Sequence, residues 1–160
     1  MYKENFERMI ALVDQFFATK NDPKQISVDK RTIAWLKKIH PKTMSELSTR
    51  KGPIAWVMVI PTTQAIMDQF ISKKISEKEL LRMTPLRANY EAVYLCSALV
   101  LPEYRGKGLA KRLLTKAVRT IRKEHDIAWL FYWGFSREGR RLAASVAREL
   151  DLPLKGRKRD

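Results

Sequence analysis

Leu99-Val100-Leu101-Pro102-Glu103-Tyr104-Arg105-Gly106-Lys107-Gly108-Leu109-Ala110 decides how this chain is read. The apolar start is the end of a strand, the middle is a tight turn with two glycines, and the rest opens a long basic helix. A helix start leaves its first backbone N–H groups unpaired, and the helix dipole adds roughly half a positive charge there. Such a place binds anions, and phosphate is the usual ligand. Gly106 and Gly108 lack a Cβ, so a ligand can approach the backbone closely. Arg105, Lys107, Lys111 and Arg112 add positive charge around the same point. The plainer reading of these residues is a basic turn followed by an amphipathic helix.

The turn is not a Walker A loop: no Ser or Thr follows the lysine and the upstream glycine is missing. Nor is it the dinucleotide fingerprint, because the third glycine is absent. What it contains is Arg-x-x-Gly-x-Ala (Arg105, Gly108, Ala110) after a strand ending Val-x-Pro (Val100, Pro102). This resembles motif A of the GNAT superfamily, the acetyl-CoA-dependent N-acetyltransferases. The resemblance is close over residues 98–114 and weaker to about residue 150. It implies that the backbone of Ala98, Leu99 and Val100 pairs with the pantetheine arm. It also implies that Gly106, Lys107, Gly108, Leu109, Ala110 and Lys111 hold the pyrophosphate, with Arg105 at the motif's first position.

Outward from the motif, residues 90–101 read as a long strand, with Tyr94, Cys96, Ala98 and Val100 on one side and Val93, Leu95, Leu99 and Leu101 on the other. Leu109, Leu113, Ala117, Val118 and Ile121 stripe a helix over 106–123. Residues 127–133 are an apolar, buried strand, and Ser136 can cap a last helix to about Leu150. Strand, helix, strand, helix favours parallel neighbours and α/β layering. Upstream, helices are expected over 3–19, ended by Asn21-Asp22-Pro23, and from an Asp29 cap to before His40-Pro41. Residues 43–53 read as loop with at most one helical turn, and Ile54 to Ile60 as a buried strand. A helix follows Pro61-Thr62-Thr63, and Ser76-x-x-Glu79 is a capping box opening another.

The expected fold is therefore α/β: a GNAT-like mixed central sheet flanked by helices, with a helical N-terminal part and a short C-terminal end. One domain covers residues 1–152, with 1–85 on the acceptor side and 86–150 binding acyl-CoA. Residues 153–160 are expected to be a disordered basic tail. GNAT folds usually finish with two more strands after the last helix. Only Leu152-Pro153-Leu154 can pair here, so the sheet is short or completed by a second copy, and a homodimer is one expectation.

Further residues bear on chemistry. The resemblance implies a general base on the motif-A strand about a dozen residues before the arginine, and Glu91 lies 14 before Arg105. A partly buried glutamate can take a proton from an attacking ammonium; a solvated residue at the strand start is the plainer reading. Many members carry an Asn early in the last helix and, near its end, a Tyr that protonates the departing thiolate. Here Arg140 and Ala147 fall at those positions. Ser145 is too weak an acid, so Tyr132 or Tyr94 is left to replace it, or the thiolate leaves unaided. Cys96 reads as a buried structural thiol. His40 and His125 form no metal pattern in the sequence, so no metal is expected. Trp129, Phe131 and Trp133 share one strand face as core, with Trp133 placed to edge an acceptor cleft.

Composition bounds the rest. A chain of 160 residues, 45% hydrophobic, suits one domain with a real core. No stretch has the apolar length of a membrane span, the N-terminus lacks a signal-peptide pattern, and a single cysteine makes the cytoplasm the default location. Thirty-two Lys and Arg against 17 Asp and Glu give +15, a field that draws polyanions such as CoA, RNA or a ribosome and repels a polycationic acceptor. The leading expectation is transfer of an acetyl group from acetyl-CoA to an amine of an unidentified acceptor, with an acidic macromolecule or a ribosome as a partner the charge favours. The alternatives are a basic nucleic-acid- or ribosome-associated module without a helix-turn-helix, zinc or RNP signature, or a CoA-binding protein with little turnover.

Overall fold

The computed structural model describes residues 2–16, 29–134 and 136–158. Helices α1 (Tyr2–Phe16) and α2 (Lys30–Ile39) precede the hairpin β1 (Met44–Thr49) and β2 (Gly52–Thr62). Short helices α3 (Gln64–Ile71) and α4 (Glu77–Met83) follow. Then come β3 (Ala92–Val100), a 3-10 turn at Pro102–Tyr104, α5 (Leu109–Arg122), β4 (Trp129–Trp133), α6 (Arg137–Leu150) and β5 (Leu154–Arg157). The five strands form one sheet in sequence order. β1, β2 and β3 pair antiparallel, whereas β3, β4 and β5 are parallel, joined by the crossover helices α5 and α6. The mixed sheet flanked by helices is the fold class the sequence implied. Among the described residues no helix is long and apolar enough to cross a membrane.

Local sequence explains most element ends. Asp29 accepts the Thr32 amide at the start of α2, Ser76 and Glu79 form the reciprocal capping box of α4, and Ser136 accepts the Gly139 amide at the start of α6. An aromatic cluster fills the space between the sheet and α3: Phe70 packs on Tyr94 and Phe131 with ring centroids 5.1 and 5.9 Å away, and Tyr94 stacks on Phe131 at 5.1 Å.

Four expectations need correction. Residues 43–53 are not loop, because β1 occupies Met44–Thr49. This is a half-exposed edge strand whose solvent side is Ser and Glu, so it lacks the apolar run that marks a buried strand. The basic tail is not disordered over Leu154–Arg157, because β5 pairs with β4 from Leu154↔Leu130 to Arg157↔Trp133. Arg157 is buried, its guanidinium 4.5 Å from the Phe70 ring and 4.7 Å from the Trp133 ring, and it donates to the Ile75 carbonyl at 2.7 Å. The strand faces assigned to residues 90–101 also change. Leu95 pairs with Val59 and Ser97 with Met58, so Cys96 is a bulge and the alternation slips by one. Val93, Leu95, Ala98 and Val100 share one face; Tyr94, Ser97 and Leu99 share the other. The last helix-to-strand element is supplied by the chain itself, so β4 does not need a second copy as its neighbour. Asn21-Asp22-Pro23 and residues 17–19 of the first expected helix lie outside the described residues.

Candidate active site

β3 and β4 pair only at Ala92↔Trp129, Val93↔Leu130 and Tyr94↔Phe131. Beyond Tyr94 they part, and among the described residues the β4-facing backbone of residues 95–100 has no partner strand. The wedge so opened is a cavity of ≈ 360 Å³. Its walls are Leu95, Cys96, Ser97 and Ala98 of β3, Tyr132 and Trp133 of β4, Leu114 of α5, and Ser136, Glu138, Gly139, Leu142 and Ala143 around the start of α6.

At the far end of β3 lies the glycine turn. Gly106 and Gly108 have φ of 79° and 74°, and open space surrounds the position a Cβ would take on either. The need for glycine is thus conformational, the left-handed region, not a packing contact. Gly108 is the N-cap of α5 and has no side chain to satisfy the first-turn amides; the first helical bond runs from the Arg112 amide to the Gly108 carbonyl. The amides of Leu109, Ala110 and Lys111 are left facing the turn's mouth.

The flanking cations divide into two groups. Arg105 donates through Nε to the Val100 carbonyl at 3.0 Å and so fastens the turn to the strand end. Lys111 lies 3.7 Å from Glu149, along α6 rather than in the turn. Lys107 stays exposed over the Tyr104 ring at 5.4 Å, and Arg112 is exposed. The turn is also tied to α1: Arg8 grips Glu103 through two bonds of 2.8 and 2.6 Å, and this grip holds the Glu103 carboxyl down to about 2.

The structure separates the candidate proton-transfer residues. Tyr132 lines the wedge. Its ring lies against β5, where a Cβ on Gly156 would come 2.9 Å from both Cζ and Oη. Tyr94 does not line the wedge; it is fully buried and donates to Glu77 Oε2 at 2.5 Å, and burial first, then the Glu77 charge, pushes its phenol well up. Glu91 lies before β3, at the opposite end from the bulge. One of its carboxylate oxygens accepts the Gln64 amide at 3.2 Å, supporting the start of α3, and it is not among the wedge residues. Ala147 is in the core and Arg140 is exposed. The α6 residues that face the wedge carry no phenol.

Cys96 lines the wedge, but its thiol is pushed well up by burial and by the Glu77 carboxylate 3.9 Å away. A thiol held in the protonated form is a poor nucleophile. Ser97, Ser136 and Glu138 also line the wedge, a place that no local sequence pattern signals.

One group of ligand-type residues was invisible at sequence spacing. His40, Glu124 and His125 offer ligand atoms within 4.8 Å of one another. Nδ1 of His40 accepts the Lys42 amide at 3.0 Å and Nδ1 of His125 accepts the Tyr90 amide at 3.3 Å. Each neutral ring therefore carries its proton on Nε2, and His40 Nε2 donates to Glu124 at 2.9 Å. Coordination through Nε2 needs the other tautomer, so this trio is built as a hydrogen-bonded clamp between α2 and the end of α5 rather than for a metal. Burial, then the nearby His40, lowers the His125 pKa from 6.5. With the folded value below the unfolded one, the unfolded chain binds the proton more readily. Stability is present above pH 6.5 and is lost as pH falls below it. The urea midpoint is expected to decline with acidity in that range, and His125→Gln to flatten the decline; an equally steep curve in the variant would place the proton uptake elsewhere.

Residues 47–135 match the sequence profile of the Acetyltransferase (GNAT) family, more than half of the chain. The chain belongs to that family, whose members generally take acetyl-CoA as acyl donor. Among the solved structures that resemble it are two acetyltransferases. One is a ribosomal-protein-alanine N-acetyltransferase from Brucella melitensis biovar Abortus 2308, 14% identical over 62% of this chain and 57% of that one, TM-score 0.40. The other is an aminoglycoside acetyltransferase from an uncultured soil metagenomic sample, 12% identical over 93% and 82%, TM-score 0.45. The chain thus spans less than two thirds of the Brucella protein's length. No curated protein matches it.

Proposed function

We propose that the chain is an N-acetyltransferase acting by direct transfer from acetyl-CoA to an amine. The observation that carries this reading is the alignment of three features along β3: a helix start with no side-chain cap at its far end, an edge over residues 95–99 that has no β4 partner, and the wedge against β4. The pyrophosphate is assigned to the amides of residues 106–111, with Lys107 and Arg112 as exposed partner charges for the phosphates. The pantetheine amides pair with the open edge of β3 as an added strand would. The thioester then lies near the Cys96 bulge.

The amine nitrogen, deprotonated, attacks the thioester carbonyl carbon. The new C–N bond forms, the C–S bond breaks and the sulfur leaves as CoA thiolate. One proton leaves the ammonium before attack and a second leaves the nitrogen as the intermediate collapses; the thiolate takes up one. Tyr132 is assigned as the donor to sulfur, because it is the phenol on the wedge wall. No acyl-enzyme is invoked, since the thiol of Cys96 is held protonated.

Acetyl-CoA-dependent thiol release with an amine panel tests the reading. Tyr132→Phe is expected to lower kcat by about a hundredfold, the low end for a positioned proton donor, and to leave acetyl-CoA affinity unchanged. Gly156→Ala puts a methyl group where the Tyr132 ring lies. It should lower kcat in the same direction by shifting the hydroxyl. Wild-type turnover in both variants would return the sulfur's proton to solvent.

A further inference from the structure

On the α1 side of the sheet is a second cavity, of ≈ 480 Å³. The register places Glu46 of β1, Trp56 and Met58 of β2, and Ser97 and Leu99 of β3 on one face of the sheet, and Phe6, Ile10 and Val13 of α1 complete the cleft. Ser97, the residue beside the Cys96 bulge, lines both this cavity and the wedge. Phe6 and Ile10 are 51% and 40% exposed, unusual for large apolar side chains, and Phe6 stands edge-on to Trp56 at 5.9 Å. Although the chain carries +15, no lysine, arginine or histidine among the described residues lines this cleft. Its charged groups are Asp14 and Glu46. Glu46 is fixed by neutral donors, Trp56 Nε1 and Ser48 Oγ, each at 2.7 Å. Among the described residues neither carboxylate is paired with a cation.

We infer that this cleft holds the acceptor, and that the acceptor is a small primary amine on a compact apolar body. The inference rests on the transferase reading and adds the substrate class to it. Charge complementarity selects a cation: an incoming ammonium meets Asp14 and Glu46, in a protein whose surface elsewhere repels it. Apolar surface selects the carrier: Phe6, Ile10, Trp56 and Leu99 gain by being covered, whereas a polyamine or an amino sugar would strip water from groups that find no partner there. Continuity selects the chemistry: an amine moving past Ser97 reaches the wedge from the face opposite α5 and α6, without crossing the donor's path.

The probes are 2-phenylethylamine against spermidine and glucosamine, with acetyl-CoA and thiol release as readout. Phenylethylamine is expected to be used with kcat/KM at least about tenfold above the polar amines, the effect of one well-placed apolar contact region. Glu46→Gln and Ile10→Gln, both at exposed positions, should each raise its KM about five- to tenfold and leave the KM for acetyl-CoA unchanged. Equal or better use of spermidine or glucosamine, or variants with unchanged KM, would overturn the assignment and leave the transferase reading standing. If no amine releases thiol, calorimetry with phenylethylamine decides: saturable binding lost in Ile10→Gln supports the assignment, and absence of binding overturns it. A dimer in sedimentation that Ile10→Gln dissociates would give the cleft to a second copy and also overturn it. Failure to bind acetyl-CoA would count against the transferase reading instead.

Discussion

Gly108→Glu is expected to weaken acetyl-CoA binding by at least about a hundredfold, roughly 3 kcal/mol, while the protein stays folded. Two effects combine. A residue with a Cβ at φ 74° costs about 1 kcal/mol in the left-handed region, and this disturbs the approach to α5. The larger effect is electrostatic, because a carboxylate then stands before the amides that the ligand's pyrophosphate must reach. Open space around the Cβ position means that no clash with the core accompanies the change, so the unfolding midpoint should move only slightly. Gly108→Asn is the control: it tolerates the left-handed conformation and adds no charge, so its loss should be a small part of that in the glutamate variant. Equal losses in the two would make conformation, not anion binding, the purpose of this glycine. Calorimetric titration of both variants separates the cases.

Arg157→Ala is expected to be the most destabilising single change near the C-terminus, at about 3 kcal/mol, or about 6–12 °C in Tm for a domain of this size. The guanidinium lies between the Phe70 and Trp133 rings and satisfies the Ile75 carbonyl, so its loss opens a cavity and strands a buried acceptor. Arg157→Lys should fall between, because an ammonium keeps the charge and loses the planar stacking. The effect should extend to turnover, since β5 also carries Gly156 beneath the Tyr132 ring. Thermal and urea unfolding measure the first effect. A wild-type midpoint in the alanine variant would restore the view of residues 153–160 as a dispensable tail.

How legible the chain was depends on the distance over which each feature is written. The glycine turn, the α4 capping box and the Ser136 cap are local: each is fixed by residues within a turn of one another, and each is where the sequence implied. The parting of β3 and β4 has no local signal, since both segments read as ordinary apolar strands and pair only as far as Tyr94↔Phe131. Features written across long separations were not legible. β5 reads as Leu-Lys-Gly-Arg, which is polar and short, and only aromatic residues from α3 and β4 make its arginine a core residue. β1 hid because an edge strand buries little and so shows no apolar run. The Cys96 bulge has no signature of its own, yet it decides that Tyr94 rather than Leu95 shares a face with Ser97 and Leu99. His40 meets Glu124 across 84 residues, a pairing no spacing rule contains. The distance of Glu91 from Arg105 along the chain carries no information on which end of the strand faces the wedge.

Calorimetric titration of the purified protein with acetyl-CoA, beside CoA and 3′-dephospho-CoA, tests the central claim most directly. The account predicts binding in about the micromolar range for acetyl-CoA and CoA, lost in Gly108→Glu. Dephospho-CoA should bind too, somewhat more weakly, since it keeps the pyrophosphate that the α5 amides are assigned to hold. No binding of any of the three at about millimolar ligand would contradict the account and leave the glycine turn as a basic loop before a helix.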